Sequence, residues 1–323
     1  MNARAILIAL LWCSIATPVA ASADDDVFQW LERMAAAMNQ MNYQGTFVYM
    51  RDDNVESMRI THIIDDQGIH ERLVSVSGVP REVVRDAKGV RWISGEDHTV
   101  LANSAANRKF FPELPLGDPE QAAESYHFRF GDDERIAGHS TRRVDIVPKD
   151  QYRYGYSLWL ERQSNLLLQW ELTGTAGETL ARLMFTDLKM GSEVDTSELR
   201  AISSSDASGP MDSAPVAQGR NVTSPRLVEP SSLPPGFRLS SSRLQKSQHD
   251  ETFEHLIYSD GIAAVSIYIE DAEPDSEMSL GLSKLGPTHV LTRELNGELI
   301  TVLGDVPAAT VKLIGESLEP AAH

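Results

Sequence analysis

The feature that most constrains the fold of this chain is a succession of short strand-like segments between residues 43 and 188. Apolar and polar residues alternate in many of them, and short turns with Gly, Asp or Asn separate most of them, as at 65–68 and 87–89. Such segments form consecutive antiparallel hairpins. The predicted strands are 43–51, 55–64, 69–76, 81–86, 90–94, 98–102, 126–130, 141–147, 152–161, 166–172 and 180–188.

So many strands do not fit a flat open sheet, so we expect the sheet to curl. A helix precedes them, because acidic residues 24–26 can cap a helix start and favour its dipole. Apolar residues then recur at helical spacing. These residues are Val27, Leu31, Met34, Met38 and Met41. The predicted N-terminal domain, residues 24–202, is therefore a curled antiparallel half-barrel with one helix to cover it.

The hairpin at 153–172 is partly apolar on both faces. Trp159 falls on the face that also carries Arg153, Ser157 and Glu161, whereas a half-buried strand normally has one polar face. We therefore expect one face of the sheet to pack on the helix, and aromatic residues on either face to line a cavity or groove. The cavity candidates are Tyr43, Phe47, Tyr49, Trp92 and Trp159.

The connection at 108–119 contains apolar residues where polar ones would be expected in a loop: Phe110, Phe111, Leu114 and Leu116. Two interpretations stay open. The loop folds down on the core, or it forms a lid over the cavity, in which case Phe110 and Phe111 lie at the mouth.

Residues 203–232 are rich in Ser, Pro, Ala and Gly and predict a linker. A smaller domain follows at 233–323, with hairpins around Asp260-Gly261 and Asn296-Gly297. Its predicted strands are 252–259, 262–270, 289–295 and 298–303. Pro307 starts a final helix with Val311, Ile314 and Leu318 on one face. The fold class is therefore α+β.

Residues 1–23 have the pattern of a cleaved signal peptide. Arg4 precedes an apolar run, and Ala21-Ser22-Ala23 resembles a cleavage site. The remaining chain has a net charge of −19 and no cysteine. It cannot form disulfides, and its acidity argues against nucleic acid as a partner. We expect a soluble protein exported to the periplasm.

No catalytic constellation is found. The sequence has no HExxH, G-x-S-x-G or P-loop motif. His249, Glu251 and His255 could share a strand face, but chance placement on a solvated strand explains them better than a metal site. No catalytic residue, metal or cofactor is predicted, and an enzyme is the least favoured alternative.

Basic residues cluster within an otherwise acidic chain, at Arg135, Arg142, Arg143, Lys149 and Arg153. One interpretation is that they pair with the many carboxylates. The other is a local anion site that holds a lipid phosphate beside the cavity. Arg142, Arg143 and Arg153 are the candidates for that role.

Several segments together resemble the MucB/RseB family over the whole chain after residue 23. They are YQGTFVY (43–49), SMRITHIIDDQGIHERL (57–73), REVVR (81–85), DQYRYGYSLWLERQSNLLL (150–168), LPPGF (233–237), YSDGIAAVSIYIE (258–270), LGPT (285–288) and TVLGDVP (301–307). Family members tend to carry a Trp just before the LPPGF-like segment. Here Glu229-Pro230-Ser231-Ser232 stand there instead.

The resemblance implies a non-enzymatic periplasmic regulator of a σE-type envelope-stress sigma factor, with a large domain like the lipoprotein carrier LolA. Its partner would be the periplasmic domain of a membrane-spanning anti-sigma factor of the RseA/MucA type, which it would shield from a site-1 protease. Lipopolysaccharide or another lipid would release that grip. The residues leave open whether the protein forms a homodimer.

The expected mechanism is linkage between two sites: lipid and anti-sigma factor would favour different arrangements of the domains. We place the anti-sigma segment at the inter-domain face, near the hairpin edges at Tyr258 and Tyr268, as an added strand or in the cleft. The alternative function is a periplasmic lipid or lipoprotein carrier that uses the same cavity.

Overall fold

The computed structural model describes residues 26–78, 80–86, 89–94, 119–194, 228–246, 252–272 and 280–321. The chain begins there with helix α1 (Val27–Gln40). The Asp26 carboxylate accepts a hydrogen bond from the Phe28 N–H at 2.9 Å and so caps the helix. Leu31 and Met34 are buried, and Val27 and Met38 are partly buried against the same core. The predicted helix is confirmed.

The N-terminal domain is one antiparallel sheet with the order β5-β4-β3-β2-β1-β11-β10-β9-β8-β6, in which β7 also pairs with β8. β5 and β6 at its two ends do not pair, so the sheet stays open, as predicted. The strands are β1 (Tyr43–Arg51), β2 (Asn54–Asp65), β3 (Gly68–Ser75), β4 (Arg81–Asp86), β5 (Gly89–Ser94), β6 (Tyr126–Phe130), β7 (Glu134–Ile136), β8 (His139–Pro148), β9 (Gly155–Glu161), β10 (Leu167–Thr173) and β11 (Thr179–Met190).

The strand order differs from a simple meander at two places, and one of them is the pairing of β6 with β8. β1 pairs with β11, with Phe47 opposite Phe185, so the first and last strands lie together in the middle of the sheet. Helix α2 (Pro119–Ser125) and β7 were not predicted, and β9 begins later than the predicted strand 152–161. The predicted strand 98–102 lies outside the described residues.

Helix α1 packs on one face of this sheet, called here the helix-facing face. The ring of Phe28 lies 5.0 Å from that of Phe128, and Trp30 lies edge-on to Phe130. A single buried cluster joins α1 to strands far apart in the sheet, including Val83 on β4. One helix can share a core with so many strands only if the sheet curves around it, because neighbouring strands are about 4.8 Å apart.

The C-terminal domain has a second antiparallel sheet with the order β13-β14-β15-β18-β17-β16. Helix α3 (Ala308–Glu316) contacts β17 and β18 on one face, and a two-stranded sheet of β12 and β19 completes the domain. The strands are β12 (Val228–Pro230), β13 (Arg238–Lys246), β14 (Thr252–Ser259), β15 (Ala264–Asp271), β16 (Gly281–Leu285), β17 (Thr288–Leu295), β18 (Glu298–Gly304) and β19 (Leu318–Pro320). Both domains confirm the α+β class.

Three details of the C-terminal domain correct the sequence prediction. Leu318 belongs to β19 and not to the final helix, which ends at Glu316. β12 lies inside the predicted linker, and its Val228 is buried in the domain core. The sheet also has two unpredicted strands, β13 and β16, and these are its edges. β14 and β15 are therefore interior strands, and Tyr258 and Tyr268 do not lie on a sheet edge.

Candidate functional site: the junction between the two domains

Arg153 is presented to the C-terminal domain by the loop between β8 and β9. The Asp150 carboxylate accepts the Tyr152 N–H at 2.9 Å, which turns the chain back on itself. The same carboxylate lies 3.1 Å from Nε of Arg153 and holds the guanidinium in place. A short polar loop thus directs one arginine across the domain boundary.

Asp260 approaches from the other side, at the tip of the β14–β15 hairpin. Its Oδ1 accepts the N–H groups of Ile262 and Ala263, at 2.9 and 2.7 Å, and fixes the turn. Its Oδ2 lies 2.9 Å from Nη1 of Arg153, and neither side chain has any exposed surface. The result is a fully buried ion pair between the two domains.

One carbonyl and two aromatic rings also surround the guanidinium. Arg153 Nη2 donates to the Pro235 carbonyl at 2.6 Å. The rings of Tyr126 and Phe237 each lie 5.4 Å from the guanidinium carbon, at cation–π distance. Burial raises the pKa of Asp260, while the two backbone donors and Arg153 act against that shift. The pair is stable only while both charges are present, because a lone buried charge is costly.

An apolar anchor lies beside this ion pair. Ile262, next to the Asp260 turn, is buried within the core cluster of the N-terminal domain. Thr310 at the start of α3 donates its hydroxyl to the Tyr152 carbonyl at 2.5 Å. The junction therefore combines charge, hydrogen bonding and burial, and the domains meet over a specific surface.

A second contact joins the domains at the β16–β17 turn. Arg51 Nη2 donates to the Leu285 carbonyl at 2.8 Å, and the Tyr154 hydroxyl lies 3.3 Å from both the Pro287 carbonyl and Nδ1 of His289. Burial raises the pKa of Tyr154 to about 12. The hydroxyl therefore keeps its proton at physiological pH and can donate it to the carbonyl.

The structure divides the predicted cavity residues between the two faces of the large sheet. Tyr43 and Phe47 are buried on the helix-facing face, where Tyr49 is partly buried 6.2 Å from the ring of Trp170. Trp159 lies on the opposite, outer face. Trp92 belongs to β5, but its side chain is outside the described residues, as are Phe110 and Phe111.

The position of Trp159 explains why the β9–β10 hairpin is apolar on both faces. The Arg143 guanidinium carbon lies 5.4 Å from its ring, and Asp145 holds that guanidinium at 2.7 and 3.1 Å. An ion-paired arginine thus covers the outer tryptophan. These three residues line an open groove of about 960 Å³ on the outer face, where Arg182 pairs with Glu171.

The three predicted phosphate ligands do not come together. Arg142 lies on the helix-facing side of β8, 4.2 Å from the ring of Phe130. Arg143 is on the outer face, and Arg153 is at the junction. A site that uses all three is not formed. Pairing with carboxylates, the other interpretation of the basic cluster, accounts for Arg143 and Arg153.

The two anti-sigma candidates also lie on opposite faces of their sheet. Tyr258 is buried in the core of the C-terminal domain, at 3% exposure. Tyr268 is on the face away from α3, with its ring 4.3 Å from that of His255. Anti-sigma binding by either residue stays a prediction.

Sequence reasoning missed the residues that build the junction. The sequence indicates only a turn at Asp260, and no pattern in it points to Phe237 or Tyr126. A signal was present, because Arg153, Phe237 and Asp260 all fall in segments that carry the family resemblance. Spacing along the chain does not reveal that three distant segments meet.

Among the residues that the structure describes, no three His, Cys, Asp or Glu side chains are grouped to hold a metal ion. Within the same ranges, no helix is both long and apolar enough to cross a membrane.

The fold and junction define a class: a two-domain protein in which a curled sheet around a helix is joined by a buried ion pair to a smaller sheet domain. The chain belongs to the MucB/RseB family. The model of the MucB/RseB N-terminal domain matches residues 26–202, and that of the MucB/RseB C-terminal domain matches residues 225–319. Both sides of the junction lie within these matches.

Relatives match over nearly their whole length. The sigma factor AlgU regulatory protein MucB of Pseudomonas aeruginosa is 33% identical over 322 residues, which cover 98% of this chain and 97% of the relative. The sigma-E factor regulatory protein RseB of Escherichia coli is 26% identical over 291 residues, covering 90% and 89% of the two chains. These relatives are named as regulatory proteins.

Solved structures agree in fold. A crystal structure of MucB in complex with MucA(peri) matches with a TM-score of 0.68 at 28% identity, covering 92% of this chain and 100% of that one. A crystal structure of MucB alone matches with a TM-score of 0.60 at 28% identity, covering 93% and 99%. The likeness extends over both domains.

Proposed function

We propose that this protein is a periplasmic negative regulator of a σE-type sigma factor. It binds the periplasmic domain of a membrane-spanning anti-sigma factor of the RseA/MucA type and protects that domain from site-1 proteolysis. The observation that carries the proposal is the match to MucB over nearly the full length of both chains, including a structure in which MucB is bound to MucA(peri).

The domain arrangement supports the proposal. The TM-score is higher against MucB bound to MucA(peri), 0.68, than against MucB alone, 0.60, although the identity is 28% in both cases. We assign the arrangement held by Arg153 and Asp260 to the binding-competent state of the protein.

The junction gives the mechanism a physical switch. A buried ion pair loses most of its value once either charge is left alone, so it favours two distinct arrangements over a continuum. A ligand that prefers the open arrangement would weaken anti-sigma binding by the coupling free energy, typically about 1–3 kcal/mol. The junction sets the free-energy cost of separating the two domains.

The releasing signal in this proposal is lipopolysaccharide or another lipid. Its acyl chain would enter on the helix-facing side, beside Tyr43, Phe47 and Tyr49, with Trp92 as a further candidate and Phe110 and Phe111 at the mouth. Arg142 is on this side of β8 and remains the candidate for the phosphate. Entry between α1 and the sheet would separate packed aromatic rings and so favour a changed shape of the domain.

A binding experiment tests the main claim. Purified protein should bind the periplasmic domain of the anti-sigma factor from the same organism at micromolar concentration or below, measured by calorimetry. Lipopolysaccharide should weaken the affinity about 5- to 150-fold, the range typical of allosteric coupling. Absence of binding would contradict the proposal, and binding that lipopolysaccharide leaves unchanged would contradict only the release step.

A further inference from the structure

Strand β16 is the most exposed apolar element in the described part of the chain. It is an edge of the C-terminal sheet, and all five of its residues are exposed. Leu282 is 42% exposed and Leu285 is 75% exposed. A single charged residue, Lys284, stands between them. Natural edge strands are usually protected against pairing by charge, bulges or cover, and the described residues give β16 little of this protection.

The backbone groups that β16 offers to a partner follow from its turn. Leu285 and Thr288 flank the two-residue turn Gly286-Pro287, so they form a hydrogen-bonded pair. Hydrogen-bonded and non-hydrogen-bonded pairs alternate along an antiparallel ladder. Ser283 therefore bonds to β17, whereas the N–H and C=O groups of Leu282 and Lys284 point away from the sheet. The pairing of β17 with β18 is consistent with this assignment. Leu295 and Glu298 flank the next two-residue turn and form a hydrogen-bonded pair, so the odd-numbered residues of β17 bond to β18 and the even-numbered ones, such as Thr288, bond to β16.

This edge begins at the domain junction. Arg51 of β1 bonds the Leu285 carbonyl, and Tyr154 lies at the Pro287 carbonyl of the same turn. Gly286 has a φ of +61°, and a Cβ at this position would overlap the Arg51 guanidinium. The N-terminal domain thus fixes the end of β16. An occupant of this edge would be sensitive to how the two domains are arranged.

The outward backbone groups of β16 are suited to binding an extended polypeptide. Two residues with outward N–H and C=O groups match the alternating groups of an added strand, and the five residues of β16 extend about 17 Å. On one face the added strand would meet Leu282 and Lys284, and on the other Leu285. It should therefore carry apolar residues opposite the leucines and a carboxylate near Lys284, which has no acidic partner among the described residues.

A second copy of this chain fits the edge less well. Each copy carries a net charge of −18, so self-pairing brings together two strongly acidic proteins. Symmetric antiparallel pairing about Ser283 would also place Lys284 opposite Leu282 of the other copy, without a counter-charge. A partner strand with its own carboxylate has neither disadvantage.

We infer that β16 is the docking edge for the anti-sigma factor, which adds an extended segment of about five residues to the C-terminal sheet. This inference rests on the proposed function and gives its binding site a location. It places recognition on an edge strand that sequence reasoning did not find. It also explains how binding and domain arrangement are coupled, because Arg51 and Tyr154 connect the occupied hairpin to the large sheet.

Aspartate substitutions test the inference, with the opposite edge of the same sheet as a matched control. Leu282→Asp and Leu285→Asp should each weaken binding of the anti-sigma periplasmic domain at least tenfold in calorimetry. Leu239→Asp on β13, at a leucine with 37% exposure, should change it less than twofold. Far-ultraviolet circular dichroism should be identical for all variants, since these side chains are exposed.

Amide exchange followed by NMR distinguishes strand addition from side-chain contact alone. In the complex, the Leu282 and Lys284 amides should exchange at least tenfold more slowly than in the free protein. The Ser283 and Leu285 amides, already bonded to β17, should change little. Equal protection of all four, or of none, would overturn strand addition.

The outcomes separate this inference from the proposed function. If the wild-type protein binds and the β16 variants bind equally well, the docking edge is elsewhere and the proposed function stands. If the wild-type protein does not bind at all, the proposed function fails first. If sedimentation reveals a wild-type dimer that Leu285→Asp dissociates while anti-sigma affinity is unchanged, the occupant is a second copy and the inference is wrong.

Discussion

The Arg153–Asp260 ion pair and strand β16 both lie where the two domains approach each other, and they are opposite in character. The ion pair is charged, fully buried and surrounded by partners. The strand carries two exposed leucines, and on its outer side the backbone groups of Leu282 and Lys284 have no partner among the described residues. The ion pair has the properties of a stabilising contact, and β16 has those of a binding surface. Stability and recognition should therefore respond to different substitutions.

The largest effect is expected from Asp260→Ala. It leaves the Arg153 charge buried without its partner and removes the acceptor that fixes the β14–β15 turn, so the free energy of unfolding should fall by about 3–5 kcal/mol. Urea denaturation followed by tryptophan fluorescence measures this loss. Leu285→Asp is the control from the other region, with a change within about 0.5 kcal/mol. Similar losses of unfolding free energy for both variants would refute the distinction between a stabilising ion pair and a strand used for recognition.

A double substitution sharpens the same comparison. Arg153→Met with Asp260→Leu replaces both charges by apolar groups of similar volume, and such exchanges are often neutral or stabilising. We expect this variant to recover most of the stability lost by Asp260→Ala. If it remains equally unstable, the loss comes from the turn and its backbone hydrogen bonds and not from an unpaired charge.

An intermediate effect is expected at the turn that ends β16, where the two regions meet. Gly286→Ala adds a Cβ both in a left-handed backbone conformation and against Arg51, whereas Gly297→Ala has the backbone cost alone, since nothing lies within 4 Å of its Cβ. The backbone cost is about 1–2 kcal/mol. Gly286→Ala should cost about 1 kcal/mol more, through the Arg51 hydrogen bond. Equal losses in urea denaturation would mean that Arg51 contributes nothing to stability.

Local patterns in the sequence predicted most of the large sheet. The cap and the apolar spacing predict helix α1, and short turns with Gly and Asp, as at 65–68, predict hairpins such as β2–β3, because these signals depend on neighbouring residues. The pairing of β1 with β11 was not predictable in this way. It joins strands separated by more than a hundred residues, and alternation within a strand does not specify its neighbour.

The candidate site was less predictable than the fold for the same reason. Arg153 was noticed as a basic residue, but its partner Asp260 lies in the other domain and looked like an ordinary turn residue. β16 was missed because GLSKL has too few β-branched or aromatic residues to signal a strand. Its pairing with β17 comes from the Gly286-Pro287 turn, and positive φ at a glycine before proline is not a common hairpin signal in sequence.

The smallest change in stability is expected at His255. This residue lies on the face of the C-terminal sheet that does not contact α3, a region of intermediate exposure. Burial, and then the nearby positive charge of Arg243, lowers the pKa of His255, while Nε2 lies 3.0 Å from the Ser266 hydroxyl. The unfolded chain takes up this proton near pH 6.5 and the folded one only at lower pH, so stability falls as the pH drops below about 6.5 and levels off below the folded pKa. His255→Gln should remove this part of the pH dependence between pH 5 and 8, measured by urea denaturation. An unchanged pH dependence would show that His255 titrates alike in both states, and that this face is as open to water as β16.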